Sequence, residues 1–167
     1  MISFLYKILY NKYGDYMRVV AQNVLEAKLT INSEVFSSIK KGFVLLVGFT
    51  NGDNKDIVDK MANKIIKSRV FQDENGLTNL SILDVNGEIL SVSQFTLYGD
   101  YKKGNRPSFI NALNPSDASE LYDYFNEVLK ELLGKEIKTG VFGEDMKVSL
   151  INDGPFTMIY DSKELTK

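Results

Sequence analysis

The chain has neither cysteine nor histidine, and only three prolines among its 167 residues. Without cysteine there is no disulfide, no thiolate nucleophile and no cysteine-type zinc site. Without histidine, Ser-His-Asp and Cys-His catalysis, histidine-ligated metals and the usual general base near neutral pH are all excluded. Any catalysis must rest on carboxylates, hydroxyls, lysines, backbone amides or groups carried by a substrate. An excess of positive charge is also missing. The formal net charge is −2, so the chain has no global basic field of the kind many nucleic-acid binders carry. Lys102, Lys103 and Arg106, within "YKKGNRPS", form a local patch that charge alone reads as a solvated loop.

What is present is ordinary for a globule: 44% hydrophobic and 25% charged residues, enough chain for one domain with a substantial core, and no repeat of solenoid period. The opening "MISFLYKILYNKYGDY" is too short to span a bilayer, and Lys7 interrupts it. It shows no basic n-region or small-residue cleavage site. Residues 1–16 therefore read as an N-terminal extension, or an upstream start, on a domain covering 17–167.

From Met17 the pattern is strand-like to Ile31, with a break expected near Val24–Ala27. A polar turn at 32–35 follows, then a central buried strand over 41–50. Apolar residues at helical spacing predict a helix over 54–68, capped by Asp53 or Asn54. Two Asn-Gly pairs signal hairpins, and residues 87–99 read as a strand. A second helix spans 114–134, capped by Ser116 or Asp117 and ended by Gly134. "MKVSLI" reads as a final core strand. The sum is an α+β fold: one mixed, mostly antiparallel sheet with two main helices packed on it, in a single domain.

Two stretches fit this plan poorly. "SVSQFTLYGD" places Ser91, Ser93, Gln94 and Thr96 in a core-like strand. "NDGPFT" sets Gly154-Pro155 inside the last strand, where proline lacks the ladder's donor and glycine has no side chain to pack. "GDYKKGN" is no phosphate loop, because Asn105 stands where the lysine belongs. Glu144, Asp145 and Asp153 read as surface charge. No metal or cofactor is expected.

Together, "SVSQFTL", "KGNRPSF", "SDASELYDYF" and "FGEDMKVSLINDGPFT" closely resemble D-aminoacyl-tRNA deacylases, in order, from about Met17 to Tyr160. The resemblance implies a cytoplasmic homodimer, with no membrane segment, that hydrolyses the ester joining a D-amino acid to the terminal adenosine of tRNA. It implies a cis Gly154-Pro155 peptide reaching into the partner subunit's pocket as a chiral filter. Asn152, Met146 and Phe142 lie beside the substrate, and Ser93, Gln94, Phe95 and Thr96 line the scissile ester. Thr96 stands where a nucleophile has been placed, yet no histidine exists to take its proton, and an unactivated hydroxyl attacks poorly. A ribose hydroxyl of the substrate with backbone oxyanion donors is the better account. Rejecting an L side chain by collision would admit glycine, which has no Cβ. By charge, Lys102, Lys103 and Arg106 would then be expected to touch the acceptor-stem phosphates. The chain departs from the family's Gln-Arg-Val at Gln22-Asn23-Val24, where Asn23 lacks the guanidinium. Two alternatives stay open: a non-catalytic tRNA-binding module of this fold, or a related trans-editing deacylase of different specificity.

Overall fold

Strand β1 (Arg18–Ile31) organises the sheet. In the computed structural model, which describes residues 16–165, β1 pairs along one edge with β8 (Lys147–Asp161). Its other edge pairs first with β3 (Gly42–Gly48) and then with β2 (Glu34–Ile39). All three pairings are antiparallel. Beyond β3 the sheet continues in parallel through β6 (Glu88–Ser93) and β7 (Lys138–Thr139). The small strands β4 (Phe71–Gln72) and β5 (Thr78–Leu80) form a separate hairpin. The sequence-predicted extension lies outside the described residues except for Tyr16.

Local chemistry accounts for most of these elements. Asn32 and Ser33 both take positive φ, 49° and 67°, which suits the two-residue turn joining β1 to β2. Helix α1 (Lys55–Lys67) begins where the Asn54 side chain accepts from the Ile57 amide, and it buries Val58, Met61, Ala62, Ile65 and Ile66. Helix α2 (Pro115–Leu133) is capped by Asn114, not by Ser116 or Asp117 as expected. Pro115 opens the first turn, where its missing amide costs nothing, and Asn114 accepts from Asp117 N at 3.1 Å. Gly134, left-handed at φ 70°, ends α2. The second Asn-Gly pair forms a tight turn before β6 and no hairpin, with Asn86 at φ 52°.

Both faces of the sheet are covered. One packs Phe43, Leu45 and Ile89 against α1 and α2, together with Phe125 and Leu129. The other encloses a smaller cluster that includes Val24, Leu29, Val44 and Leu90. No helix among the described residues is long and apolar enough to cross a membrane.

Two expectations about the edges change. β1 does not break near Val24–Ala27. It continues, and the irregularity appears as register shifts against β8 on both sides of Val24. Gln22 pairs with Thr157 and Val24 with Asn152, so Asp153, Gly154, Pro155 and Phe156 stand opposite the single residue Asn23. This is a bulge larger than the usual two residues against one, and within it the Gly154-Pro155 peptide is cis. β8 is a core strand on one face only. Val148 and Leu150 pack against the smaller cluster, while Ile151, Met158 and Ile159 are exposed, and an apolar alternation does not say what covers that outer face.

Candidate functional site

Strand β6 leaves the sheet earlier than the sequence pattern suggests. Gln94 N donates to Val47 O at 2.7 Å, and the chain then turns through a short 3₁₀ segment, Phe95–Tyr98. Ser91 is fully buried while Phe95 is 57% exposed, so the two do not share a strand face. Gly48 makes this turn possible. A Cβ there would stand 2.8 Å from the Tyr98 ring and 3.1 Å from Gln94 O. Only glycine lets the turn fold back onto β3.

The turn is held from beneath by Arg18 and Tyr98. Arg18 donates to Leu97 O at 3.1 Å, pairs with Asp161 at 3.1 Å, and lies 5.5 Å from the centre of the Tyr98 ring. The Tyr98 hydroxyl donates toward the carbonyls of Tyr16, at 2.5 Å, and Gly48, at 3.2 Å.

Beside this turn opens a largely apolar cavity of about 610 Å³, within the size range of ligand pockets, at the junction of the two core clusters. Ser93, Gln94 and Phe95 line it from the turn, and Phe142 and Met146 from the loop between β7 and β8. These five sequence-predicted residues, drawn from segments about 50 positions apart in the chain, therefore converge. Phe109 completes the wall, edge to face with Phe95 at a ring separation of 5.0 Å. Met146 lies over Gly140, where a Cβ would be 2.2 Å from its sulfur.

The other predicted residues lie elsewhere. Thr96 is exposed beside the cavity, its Oγ1 accepting from Gln94 Nε2 at 2.5 Å. Asn152, Gly154 and Pro155 are exposed in β8 and do not line this chain's cavity. Lys102, Lys103 and Arg106 occupy an exposed loop. Asn23 is buried, and its amide donates to Val70 O at 2.6 Å, which ties it to the core. Glu144 and Asp145 sit at the cavity rim, with Asp145 2.6 Å from Lys147 Nζ. No group of three metal-ligating side chains occurs among the described residues.

Burial pushes the phenols of both Tyr98 and Tyr122 above the usual tyrosine range. Tyr122 donates to Ser91 O at 2.7 Å beneath β6. Both therefore act as neutral donors through neutral pH. Phe109, Gly48, Arg18 and Tyr98 were not singled out from the sequence. A glycine ending the apolar run "FVLLVG" was the available signal for Gly48, since glycine in a strand often marks close backbone approach.

Comparison with known proteins bears on this geometry. The family model described as D-Tyr-tRNA(Tyr) deacylase matches residues 20–161. The D-aminoacyl-tRNA deacylase of Lactobacillus gasseri is 58% identical over 147 residues, covering 87% of this chain and 99% of that protein. The same-named protein of Flavobacterium psychrophilum is 52% identical, covering 88% and 98%. Among solved structures, the c-Myc DNA Unwinding Element Binding Protein superposes with a TM-score of 0.81 at 38% identity, over 86% of this chain and 97% of that one.

Proposed function

The chain belongs to the D-Tyr-tRNA(Tyr) deacylase family, and from that premise we propose that it hydrolyses D-aminoacyl-tRNA to free amino acid and tRNA while rejecting the L-aminoacyl ester. The observation that carries this reading is the convergence of Ser93, Gln94, Phe95, Phe142 and Met146 on one apolar cavity beside an exposed backbone turn. The aminoacyl group enters the cavity and its ester carbonyl lies against the turn. The first hydrogen bond of the turn is made by Leu97 N, so the Phe95 and Thr96 amides precede it and are available to an oxyanion. Water adds to the carbonyl carbon, the ribose hydroxyl beside the ester orients or activates it, and the 3′ oxygen leaves with a proton.

Thr96 positions and does not attack. Its oxygen already accepts from Gln94, and the chain has no histidine to deprotonate it. Thr96→Ala is expected to keep deacylation within roughly tenfold of the parent, because loss of a true nucleophile costs on the order of 10⁴-fold or more. Single-turnover rates on D-tyrosyl-tRNA measure this, and near-complete loss with an unchanged melting temperature would restore the nucleophile.

A second expectation concerns pH. Burial keeps Tyr98 and Tyr122 protonated. With histidine and cysteine absent, the rate profile between pH 6 and 9 should carry no inflection from a cavity side chain, only that of the substrate's own α-amine. An inflection that stays when the α-amine is acylated would refute this.

The filter is assigned to Gly154-Pro155 of a second copy, with Asn152 beside it, because both residues are exposed and absent from their own chain's cavity. Exposed Ile151, Met158 and Ile159 on the same strand support a homodimer, which sedimentation would read directly. The compartment is the cytoplasm, where charged tRNA is used. Lys102, Lys103 and Arg106 meet phosphates of the acceptor end.

Deacylation of D-tyrosyl-, L-tyrosyl- and glycyl-tRNA by the purified protein tests the whole reading. Release of D-tyrosine and glycine, with L-tyrosine retained, is the expected pattern. No release from any of them leaves a tRNA-binding module, and release of L-tyrosine removes the filter.

A further inference from the structure

A second, smaller cavity of 290 Å³ opens beside the turn that lines the ester cavity. Arg18, Leu97, Tyr98, Tyr101, Lys102 and Asn111 line it. Above it projects the loop 101–107, whose base is closed by two backbone bonds between Asp100 and Ser108, of 2.8 and 2.7 Å. Lys102 N donates to Asp100 Oδ1 at 2.9 Å, which fixes where the loop departs.

The contents of this loop are unusual for an acidic chain. Tyr101 is 75% exposed and makes no ring contact or hydrogen bond among the described residues. Lys102, Lys103 and Arg106 are all exposed and enter none of the ion pairs among the described residues. A ring held in water beside unpaired cations, on a hydrogen-bonded base, is what single-stranded nucleic acid uses. Bases stack on the ring and phosphates meet the cations.

We propose that this cavity and loop hold the nucleotide immediately preceding the esterified adenosine, its base stacked on Tyr101 and its phosphates against Lys102, Lys103 and Arg106. The inference rests on the deacylase reading for its register. The terminal adenosine occupies one side of the Phe95–Tyr98 turn, and the next nucleotide meets the adjoining cavity. Tyr101 is then a specificity-determining residue for tRNA over small esters.

The test compares D-tyrosyl esters of adenosine alone, of the trinucleotide CCA and of whole tRNA. For Tyr101→Ala, the ratio of kcat/KM on the trinucleotide or tRNA to that on the adenosine ester should fall about tenfold, carried by KM, the order expected for losing one base–ring stack. Tyr101→Phe should restore the ratio. An unchanged ratio overturns the proposal. A second readout stands apart from catalysis: the affinity of labelled, uncharged CCA-ended RNA by fluorescence anisotropy. Weaker binding by Tyr101→Ala supports the subsite even if the parent hydrolyses no ester, in which case the deacylase reading alone fails. Equal binding by parent and variant removes the subsite.

Discussion

Gly154→Ala is expected to lower deacylation of D-tyrosyl-tRNA by ~100-fold or more while leaving the melting temperature nearly unchanged. The reason is local. Gly154 has φ 131°, and a Cβ there would stand 2.8 Å from Phe156 N and 3.2 Å from Phe156 Cβ. That conformation is rarely open to an L side chain, so Asp153–Phe156 must move. A filter displaced by about 1 Å costs on the order of 10²-fold. Because Gly154 and Pro155 are exposed and no fully buried residue lies in the segment, its displacement disturbs the core only at Phe156, which packs on its edge. Paired rates on the D- and L-tyrosyl esters, with a thermal melt, measure the effect. Discrimination should fall with the rate. A variant as fast and selective as the parent would show that Gly154 does not form the filter.

The second large effect is on stability. At Gly42, where β3 begins its parallel pairing with β6, a Cβ would lie 1.8 Å from Glu88 O, with Glu88 N and C at 2.6 and 2.7 Å. All three are backbone atoms and none can swing aside. Gly42→Ala should therefore cost on the order of 3 kcal/mol or more, a fall of roughly 6–12 °C in Tm for a domain of this size. Gly52→Ala is the contrast. No atom lies within 4 Å of its Cβ, so only its positive φ of 99° opposes the change, at about 1–2 kcal/mol. Equal melting temperatures for the two variants would show that β3 and β6 separate without penalty. Because β6 carries Ser93 and leads into the Phe95–Tyr98 turn, Gly42→Ala should also lose activity in proportion to its unfolded fraction.

The elements written in local chemistry were legible in the sequence. The central strand over Gly42–Gly48 follows from its unbroken apolar run, and both helices follow from periodicity, though the cap of the second was misplaced by two or three residues. The turn at Phe95 was not legible, because "SVSQFTLYG" alternates as a strand does. What ends the strand is Gly48 on another strand, together with Arg18 and Tyr98, contacts that no local pattern encodes. The exposure of β8 was hidden for a related reason. Ile151 and Ile159 have the side chains of a core strand, and hydrophobicity does not say whether the covering surface belongs to the same chain. The partner of Asn23 was not legible either: its buried amide donates to the Val70 carbonyl, 47 positions away. The motifs themselves were legible in the sequence, but the meeting of Ser93, Gln94, Phe95, Phe142 and Met146 on one cavity with Phe109 required the fold.

The bulge in β8 separates two jobs along one strand. Pairing with β1 holds at Val24–Asn152 on one side and resumes at Gln22–Thr157 on the other, so the four intervening residues hang outside the ladder. What those residues present is set by their own backbone, while the register before and after them is set by β1. The strand thus serves as anchor at both ends and as display in between.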